Sequence, residues 1–427
     1  MKVLIVGGGG REHAIALKIK ENPEVTALYA APGNGGIAQI ATCLPFKATD
    51  VDGIVRWAAE NKVDFVIVAP DDPLCLGMVD ALAEQGIPAF GPRKNAAIIE
   101  GSKVFSKNLM KKYGIPTAAY ETFDDYDAAV KYLQTADMPI VVKADGLALG
   151  KGVLICPDRD SAVEAVASMM KEAKFGASGA RVVIEEFLTG PEVSVLAFTD
   201  GKTVKPMVSS MDHKRALDHD EGLNTGGMGT IAPTPCYTPE LARRCMDEIF
   251  LPTIAAMNAE GRTFTGCLYF GLMMTPKGPK VIEYNCRFGD PETQVVLPLL
   301  KSDLLTIMRA TVDGTLADTP VEFASGAACC VVLASGGYPV SYKSGYPISG
   351  LDEAGKTATV FHAGTKLVDG QIVTAGGRVL GVTATANTLE AAIDKAYQAA
   401  DKITFTDMHM RRDIGQRALA SRKESHS

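Results

Sequence analysis

The stretch VIEYNCRFGDPETQ at residues 281–294 follows another apolar run, CLYFGLMM at 267–274, with Pro-Lys-Gly at 276–278 between them. Two such runs around residues that favour turns predict a β-hairpin. On its second strand Glu283 and Asn285 are two residues apart, so both side chains leave the same face. A carboxylate and an amide oxygen side by side suit a hard cation such as Mg²⁺, which takes its other ligands from phosphate and water. We therefore predict that Glu283 and Asn285 bind a metal ion.

Arg287 would continue this polar face if the strand extends that far, and it would place a positive charge beside the metal. The commoner outcome for an E-x-N-x-R pattern is an edge strand whose three polar side chains are solvated. The acidic residues Asp290 and Glu292 directly beyond it, together with loops of the phosphate-binding type elsewhere, favour the metal site.

The composition is that of a globular protein with several domains. The chain has 427 residues, 47% apolar and 22% charged, and a chain of this length is expected to form about two to four domains. The net charge of −7 argues against nucleic acid as the main partner, but it permits a local pocket for a phosphorylated small molecule. No apolar run approaches the length of a membrane span, and the N-terminus lacks the anatomy of a signal peptide. Nine scattered cysteines without C-x-x-C spacing predict a reduced, cytoplasmic protein with no zinc site.

The N-terminus has the pattern of an anion-binding turn. Residues 2–6 (KVLIV) predict a buried strand, Gly7–Gly10 a turn, and Arg11 the start of a helix. Free N–H groups and the helix dipole favour negative charge at such a place. Glu12 and His13 stand where the third glycine of a dinucleotide fingerprint would be, so a smaller phosphate ester is favoured over a nicotinamide cofactor. A dehydrogenase or nucleotide sensor with a modified Rossmann half is the alternative from another class.

Strands and helices alternate over the first hundred residues, which predicts a parallel sheet with its loops at the strand ends. The loops at 7–11, 31–36 and 70–74 each follow a strand and would converge at one edge, where such folds bind ligands. Any one of these loops alone is more simply explained as a tight turn.

A group of basic residues occupies the middle of the chain. Residues 100–107 predict one helix that carries two lysines, four apart, on one face. Residues 139–153 predict a strand ending in Lys143, a glycine-bounded loop with Lys151, and another strand. A lysine on a strand and a flexible loop can hold and cover a polyphosphate, although the spacing is not that of a Walker A motif.

Residues 181–192 place two carboxylates, Glu185 and Glu186, on an apolar strand, and Glu192 after a Gly-Pro turn. A surface hairpin is the simpler interpretation. A clamp for a base and a ribose is the functional alternative.

Taken together, these segments resemble the ATP-grasp superfamily and, within it, the phosphoribosylamine–glycine ligase family. The matching segments run in order almost from end to end: GGGREHA at 8–14, APGN at 31–34, GSK at 101–103, KADG at 143–146, GKG at 150–152, DHKR at 212–215, NTGGMG at 224–229, RFGDPE at 287–292 and RRDIG at 411–415. The RFGDPE match alone is fairly specific, and the ordered set is very specific.

The resemblance and the chain pattern together predict a multidomain protein of α/β and α+β type. We expect an N-terminal parallel-sheet (pre-ATP-grasp) domain over residues 1–100, which takes the substrate phosphate. An ATP-grasp domain over 101–323 would follow, with a flap subdomain at about 117–190, and a small C-terminal α+β domain would occupy 324–427.

The resemblance also implies roles for individual residues, which fall into four groups. ATP would be bound by Lys103, Lys143, Gly150, Lys151, Gly152, Glu185, the Leu188 backbone and Glu192. The substrates would be bound by Gly9, Gly10, Arg11, Gly33, Asn34, Asp71, Asp212, Lys214, Arg215, Asn224, Thr225 and Asp290. Catalysis is implied for Arg287, Lys143, Asp212 and Lys214, and binding of Mg²⁺ or Mn²⁺ for Glu283 and Asn285.

The activity that the resemblance implies is ATP-dependent ligation of glycine to 5-phosphoribosylamine through glycyl phosphate, in purine synthesis. The expected partners are these small molecules, with no nucleic acid and no membrane, and a monomer is expected. A different ATP-grasp ligase, or a carboxylase, is the nearest alternative.

The chain departs from the family pattern at a few positions. Gly271 stands on the first hairpin strand where many ATP-grasp relatives carry another acidic metal ligand. Asp71 replaces a glutamate, and Met211 replaces a glutamine before Asp212. Glu221 and Leu223 replace a lysine and a proline near the substrate loop, so position 221 is given no role.

Overall fold

The computed structural model describes residues 1–147, 152–172 and 174–424. Its N-terminal part is a parallel five-stranded sheet, as predicted from the alternation of strands and helices. The strands, in spatial order, are Thr42–Cys43, Ala27–Pro32, Lys2–Gly7, Phe65–Val68 and Ala89–Phe90, and the helices around them are Gly10–Lys20, Val51–Glu60, Asp71–Cys75, Met78–Glu84 and Lys94–Gly101.

The central strand of this sheet is buried on both faces. Val3 and Ile5 belong to one hydrophobic core, and Leu4 and Val6, which point the opposite way, belong to another. The segment at 70–74, predicted as a loop, forms the short helix Asp71–Cys75 instead, with Asp71 in its first turn.

Residues 120–186 form a separate unit, the flap, with a four-stranded antiparallel sheet and its own apolar core. The strands, in spatial order, are Tyr120–Phe123, Val182–Glu186, Ile140–Ala144 and Val153–Cys156, and the helices are Tyr126–Leu133 and Arg159–Met170.

A second antiparallel sheet carries the hairpin that the sequence predicts. Its strands, in spatial order, are Val204–Pro206, Glu192–Thr199, Gly266–Thr275 and Gly278–Asn285. The helices of this region are Lys103–Tyr113, Pro239–Cys245, the π-helical turn Met246–Phe250, Leu251–Ala259, Thr293–Val296 and Leu304–Asp313. The simpler interpretation of residues 181–192 as a surface hairpin is wrong, because Val182–Glu186 and Glu192–Thr199 lie in different sheets.

The predicted helix at 100–107 is wrong in one respect, because the chain breaks at Ser102 into two helices. Ser102 has an extended backbone, and its side chain accepts a hydrogen bond from Phe105 N, which caps the helix Lys103–Tyr113. Glu100 therefore lies in the last turn of one helix, which ends at Gly101, and Lys103 begins the next.

The C-terminal sheet draws two of its strands from the middle of the chain. Its order is Met211–Asp212, Gly229–Ala232, Ala327–Ala334, Arg378–Ala386 and Thr359–His362. Two small hairpins, Arg215–Leu217 with Glu221–Asn224 and Thr365–Val368 with Gln371–Thr374, and the helices Leu351–Gly355, Leu389–Ala400 and Gln416–Glu424 complete it. The part of the chain that the structure describes also has 3₁₀ turns at Ile37–Gln39, Gly176–Gly179, Asp218–Asp220, Leu297–Leu299 and Leu316–Asp318. In the described ranges we find no helix long and apolar enough to span a membrane.

Candidate active site

Glu283 lies at the centre of a group of basic side chains. It is on the strand Gly278–Asn285, and its Oε1 lies 3.5 Å from Lys214 Nζ. Burial opposes ionisation of this carboxyl, but the charges of Lys214, Lys143, Lys103 and Arg287 outweigh that effect and hold the pKa of Glu283 below its usual value. Basic residues that are distant in the sequence therefore meet around one ionised carboxylate.

Asn285 follows on the same strand, where the sequence pattern predicts the second metal ligand. In the orientation that satisfies its amide, Nδ2 donates to Glu100 Oε1 at 3.1 Å and to Tyr284 O at 3.0 Å. The residues that pair with Glu283 and Asn285 across the hairpin are Gly271 and Tyr269. Gly271, where the resemblance implies that an acidic ligand is missing, therefore lies directly opposite Glu283.

The donor set fits Mg²⁺. One carboxylate and one amide oxygen are hard ligands, and a Mg²⁺ ion that serves a nucleotide is commonly held by few protein groups together with phosphate oxygens. Among the described residues, no cluster of three or more His, Cys, Asp and Glu side chains is placed to hold a metal. A pair of ligands completed by phosphate and water is thus the arrangement that the residues present can support.

Lys143 and Glu185, both predicted to contact ATP, form an ion pair through Nζ and Oε1. Lys107 Nζ lies 2.9 Å from the other oxygen of Glu185, and Lys143 Nζ also donates to Ile282 O at 3.2 Å. Burial opposes ionisation of Glu185, but the two ammonium groups outweigh it, so its pKa lies below the usual value. The sequence places Lys107 four residues after Lys103 on one predicted helix but gives it no role, and the structure adds it to this group.

Of the remaining residues predicted to bind ATP, Lys103 and Gly152 lie at the junction of the flap with the helix Lys103–Tyr113. Lys103 Nζ donates to Gly146 O at 3.0 Å, and burial lowers the pKa of this lysine. Gly152 O accepts from Ala144 N at 2.8 Å, which closes the base of the glycine loop. Leu188 is half-buried and Glu192 is exposed, whereas Gly150 and Lys151 lie outside the described residues.

The glycine turns of the N-terminal sheet approach each other closely. A Cβ on Gly8 would lie 2.4 Å from Gly33 O, so only glycine fits there, and Gly33 itself has a φ of +71°. Arg11 N donates to Asp290 Oδ2 at 3.1 Å, and Gly9 N donates to Glu12 Oε2 at 2.8 Å. The predicted substrate residues Gly9, Arg11, Gly33 and Asp290 are thus brought together.

The side-chain amide of Asn34 forms hydrogen bonds that stabilise these turns. Its Nδ2 donates to Gly8 O at 2.9 Å and to His362 O at 2.8 Å, and its Oδ1 accepts from the N–H groups of Gly36 and Ile37. The side chain therefore ties the N-terminal sheet to the C-terminal sheet. Substrate contact by Asn34 stays a prediction.

Asp212 faces another carboxylate, Glu292 of the RFGDPE segment. Burial raises the pKa of Asp212 well above its usual value, and the nearby charge of Glu292 raises it further. Glu292 is buried and accepts from Ser194 Oγ at 3.4 Å. A Cβ on Gly227 would lie 2.6 Å from Asp212 Oδ1, so the NTGGMG segment at 224–229 packs directly on Asp212.

The segment at 212–229, which carries residues predicted to bind substrate or to act in catalysis, is organised by backbone contacts near Lys214. Thr225 uses both its N–H and its Oγ1 to donate to Lys214 O, at 2.7 Å and 2.8 Å. Arg215 pairs with Asn224 across a small hairpin, and its Nη1 donates to Gly222 O at 2.8 Å. Lys214 in turn reaches Glu283, which connects this segment to the metal pair.

Arg287 lies beyond the strand that we expected to carry it, because that strand ends at Asn285. Its Nη2 lies 3.0 Å from Glu100 Oε1, and Asp71 adds negative charge nearby. Its Nε is buried and has no hydrogen-bond partner among the described residues, so one donor remains for a ligand.

His213 is held as a neutral structural group. Its Nδ1 donates to Gly229 O at 3.1 Å, and its Nε2 accepts from Gly415 N at 3.1 Å. Burial lowers its pKa to about 4, and the charge of Arg411 acts in the same direction. Both ring nitrogens of His213 are therefore engaged with backbone groups, of Gly229 and of Gly415.

Two further residues of the site escaped the sequence analysis. Arg378, from the C-terminal sheet, donates through Nη1 to Asp290 O and to Gly226 O, each at 2.9 Å. Glu100, from the end of a helix in the N-terminal part, binds Arg287. No sequence motif identifies either residue as part of the site, because both contact it from distant parts of the chain.

The architecture is that of an ATP-grasp enzyme, with a flap sheet and a second antiparallel sheet that meet over Lys143, Glu185 and Glu283. Models of the phosphoribosylglycinamide synthetase family match three successive segments: the N domain at residues 1–100, the ATP-grasp (A) domain at 101–293 and the C domain at 328–417. The chain therefore belongs to the phosphoribosylamine–glycine ligase family, and the resemblance and fold class predicted from the sequence are confirmed.

Individual relatives agree with this assignment. A phosphoribosylamine–glycine ligase of Halalkalibacterium halodurans is 48% identical over 425 residues, which cover 100% of this chain and 99% of the relative. The crystal structure of phosphoribosylamine–glycine ligase from Thermotoga maritima is 34% identical, with a TM-score of 0.86, and covers 97% of this chain and 100% of that one.

A more distant structure shares the fold alone. The biotin carboxylase domain of Hydrogenobacter thermophilus 2-oxoglutarate carboxylase, in complex with MgADP and bicarbonate, is 17% identical with a TM-score of 0.72. The alignment covers 96% of this chain and 91% of that one.

Proposed function

We propose that this protein joins glycine to 5-phosphoribosylamine, with ATP converted to ADP and phosphate, as a step of purine synthesis. The observation that carries the proposal is the group of four basic side chains whose charges act on Glu283, together with the carboxylate pair of Asp212 and Glu292; Lys214 acts on both Glu283 and Asp212. The first group suits the phosphates of a nucleotide. The second suits the ammonium group of an amino acid.

The reaction needs an activated carboxylate, because hydroxide is a poor leaving group. In our proposal a carboxylate oxygen of glycine attacks the γ-phosphorus of ATP, the bond from that phosphorus to the bridging oxygen breaks, and ADP leaves. The amine nitrogen of phosphoribosylamine then attacks the acyl carbon of glycyl phosphate, phosphate leaves, and the nitrogen loses a proton. Asp212, whose pKa is raised by burial and by Glu292, is the group to which we assign that proton.

Positioning and charge neutralisation supply most of the catalysis of phosphoryl transfer. We assign Lys143, Lys103 and Arg287 to the phosphate charge, and Glu185, Leu188 and Glu192 to the nucleoside. Mg²⁺ at Glu283 and Asn285, when bound, would neutralise phosphate oxygens; Mn²⁺ is an alternative of the same ligand preference.

The predicted substrate residues divide into two regions. Gly9, Gly10, Arg11, Gly33, Asn34 and Asp71 belong to the turns of the N-terminal sheet, to which we assign the ribose 5-phosphate. Asp212, Lys214, Arg215, Asn224, Thr225 and Asp290 surround the acceptor. A monomer in the cytoplasm, with no nucleic-acid partner, completes the proposal.

Two measurements test this function. ADP release should require both glycine and phosphoribosylamine, and rapid ADP formation driven by bicarbonate in place of glycine would make the protein a carboxylase. With glycine labelled by ¹⁸O in its carboxylate, one labelled oxygen should appear in inorganic phosphate, because that oxygen bridges the acyl carbon and phosphorus in glycyl phosphate. Label in AMP, with pyrophosphate as the other product, would show adenylation and contradict the mechanism.

A further inference from the structure

Glu100 is a buried carboxylate whose two oxygens both accept hydrogen bonds from one short segment. Oε2 accepts from Cys286 N at 2.7 Å, and Oε1 accepts from Arg287 Nη2 at 3.0 Å and from Asn285 Nδ2 at 3.1 Å. Only 7% of Glu100 is exposed, so these contacts take the place of water. Three successive residues, which begin with a predicted metal ligand, are thus held by one side chain.

This contact decides which end of the Asn285 amide faces the site. An amide has one end that donates and one that accepts, and only the oxygen can bind a cation. Because Nδ2 is directed at Glu100 and at Tyr284 O, the oxygen must lie on the other side of the amide. Without an acceptor at Glu100, the Asn285 NH₂ group would lose one of the two hydrogen bonds that hold it on the side away from the cation.

We propose that Glu100 is a positioning residue, which presents the Asn285 oxygen to the cation and holds Arg287 beside it. The proposal rests on the proposed function, since it assumes the cation at Glu283 and Asn285. Glu100 itself does not bind the cation. It acts through the residue that does, from the helix Lys94–Gly101, and it lies 186 residues before Cys286 in the chain.

Glu100 could instead be a simple counter-ion for Arg287, and the two roles predict different effects of Glu100→Gln. The substituted amide keeps an oxygen for Cys286 N, but its NH₂ group then faces the donor nitrogens of Arg287 and Asn285. The Asn285 amide can relieve this clash by rotating, and it would then present NH₂ to the cation. A counter-ion role predicts lower stability with unchanged metal binding.

The test measures binding of Mn²⁺ to the full-length protein in the presence of ADP, by electron paramagnetic resonance of free Mn²⁺. We expect Glu100→Gln to weaken Mn²⁺ binding about tenfold, with little change in the affinity for ADP without metal. Glu260→Gln is the matched control, because Glu260 also accepts from two side chains, Lys112 and Tyr113, away from the site. Equal Mn²⁺ affinity in folded Glu100→Gln and the unsubstituted protein would overturn the proposal.

A second substitution tests the same geometry by rescue. Asn285→Asp alone would place two carboxylates where the present contact is 3.1 Å, so it should bind Mn²⁺ no more tightly than Asn285 does. In the double variant Glu100→Gln with Asn285→Asp, the glutamine NH₂ can donate to one aspartate oxygen and leave the other for Mn²⁺. We expect the double variant to bind Mn²⁺ more tightly than either single variant.

The outcomes separate this proposal from the proposed function. If the losses of Mn²⁺ affinity in the two single variants add in the double variant, the role of Glu100 is contradicted. Tighter binding of Mn²⁺ by Asn285→Asp alone would contradict it as well. Because this second comparison includes a variant that retains Glu100, it remains decisive even if Glu100→Gln does not fold. Failure of the unsubstituted protein to bind Mn²⁺ with ADP would instead contradict the proposed metal site itself.

Discussion

Glu283 lies among Lys214, Lys143, Lys103 and Arg287, whose charges together outweigh the effect of burial on its pKa. Glu283→Gln keeps the volume of the side chain but removes its charge and its value as a metal ligand. Charge stabilisation by a bound metal is typically worth several kcal/mol, so we expect turnover to fall by about a hundredfold or more. Steady-state rates of ADP release at limiting Mg²⁺ measure this.

The control for this prediction is Glu248→Gln, which removes the carboxylate of an exposed pair with Arg244. It should leave turnover close to normal, because exposed ion pairs contribute little. Circular dichroism should show the same fold for both variants. Near-normal turnover of Glu283→Gln at limiting Mg²⁺ would count against Glu283 as a metal ligand.

At the scale of single residues, the sequence predicts what local spacing determines. Glu283 and Asn285 could be paired because side chains two apart on a strand share a face. Glu100 and Arg378 could not be found in this way, since each reaches the site across a long separation in the chain. The orientation of the Asn285 amide likewise depends on Glu100, which no local pattern connects to it.

Among the elements, the junction of the flap with the helix Lys103–Tyr113 depends on Asp145. Its Oδ1 accepts from Ser102 Oγ at 2.9 Å and from Val104 N at 2.8 Å, and Arg181 Nη2 donates to its Oδ2 at 2.6 Å. Asp145 thereby connects the end of a flap strand to the start of the helix that carries Lys103. A free N–H at a helix start is one of the groups that needs such a partner.

We expect Asp145→Asn to reduce the free energy of unfolding by about 1.5–3 kcal/mol, the range for hydrogen bonds to a charged group. Because Lys103 is displaced with its helix, the KM for ATP should also rise. Urea unfolding and steady-state kinetics measure the two effects.

Asp158→Asn provides the comparison within the same flap. Asp158 caps the helix Arg159–Met170 by accepting from Ser161 N at 2.8 Å, but its helix does not carry Lys103. The Asp158→Asn substitution should therefore reduce the free energy of unfolding but leave the KM for ATP unchanged. A normal KM for ATP in both variants would show that Asp145 does not position Lys103.

The differences between predicted and observed elements have local causes. The helix expected at 100–107 breaks because Ser102 adopts an extended backbone and caps the next helix. The expected hairpin at 181–192 is absent because Gly190 crosses from one sheet to another, with a φ of +143° and space for a Cβ blocked by Met274 O. By contrast the hairpin at 266–285 is confirmed, since its turn and its apolar runs agree.

In the whole molecule, the helix Gly10–Lys20 of the N-terminal part and the strand Thr359–His362 of the C-terminal sheet meet through two buried histidines. His362 N donates to His13 Nδ1 at 2.8 Å, and His362 Nδ1 lies 3.0 Å from Thr365 Oγ1. Asn34 also donates to His362 O, so this contact supports the substrate turns. The parallel sheet was predictable from its own sequence, but this contact was not, because it joins residues at opposite ends of the chain.

The domain boundaries at 100 and 323 stay predictions.

The same contact predicts how stability depends on pH. Burial lowers the pKa of His13 to about 3, and the charge of His362 acts in the same direction, while burial lowers the pKa of His362 to about 4. Unfolded histidine takes up a proton near pH 6.5, so between about pH 6.5 and pH 4 the unfolded chain binds more protons than the folded one. Stability from these groups is therefore complete above pH 6.5 and is lost as the pH falls.

His13→Asn tests this linkage. An asparagine Oδ1 can accept from His362 N as His13 Nδ1 does, but it takes up no proton on unfolding, so the urea midpoint should fall less steeply between pH 7.5 and 5.5. Full protonation of one histidine changes the slope by about 1.4 kcal/mol per pH unit. His219→Asn, at an exposed position with a φ of +61° that asparagine tolerates, is the matched control and should leave the slope unchanged. An equally steep loss of stability in His13→Asn would show that His13 binds its proton over the same pH range in the folded and the unfolded chain, and would contradict the prediction.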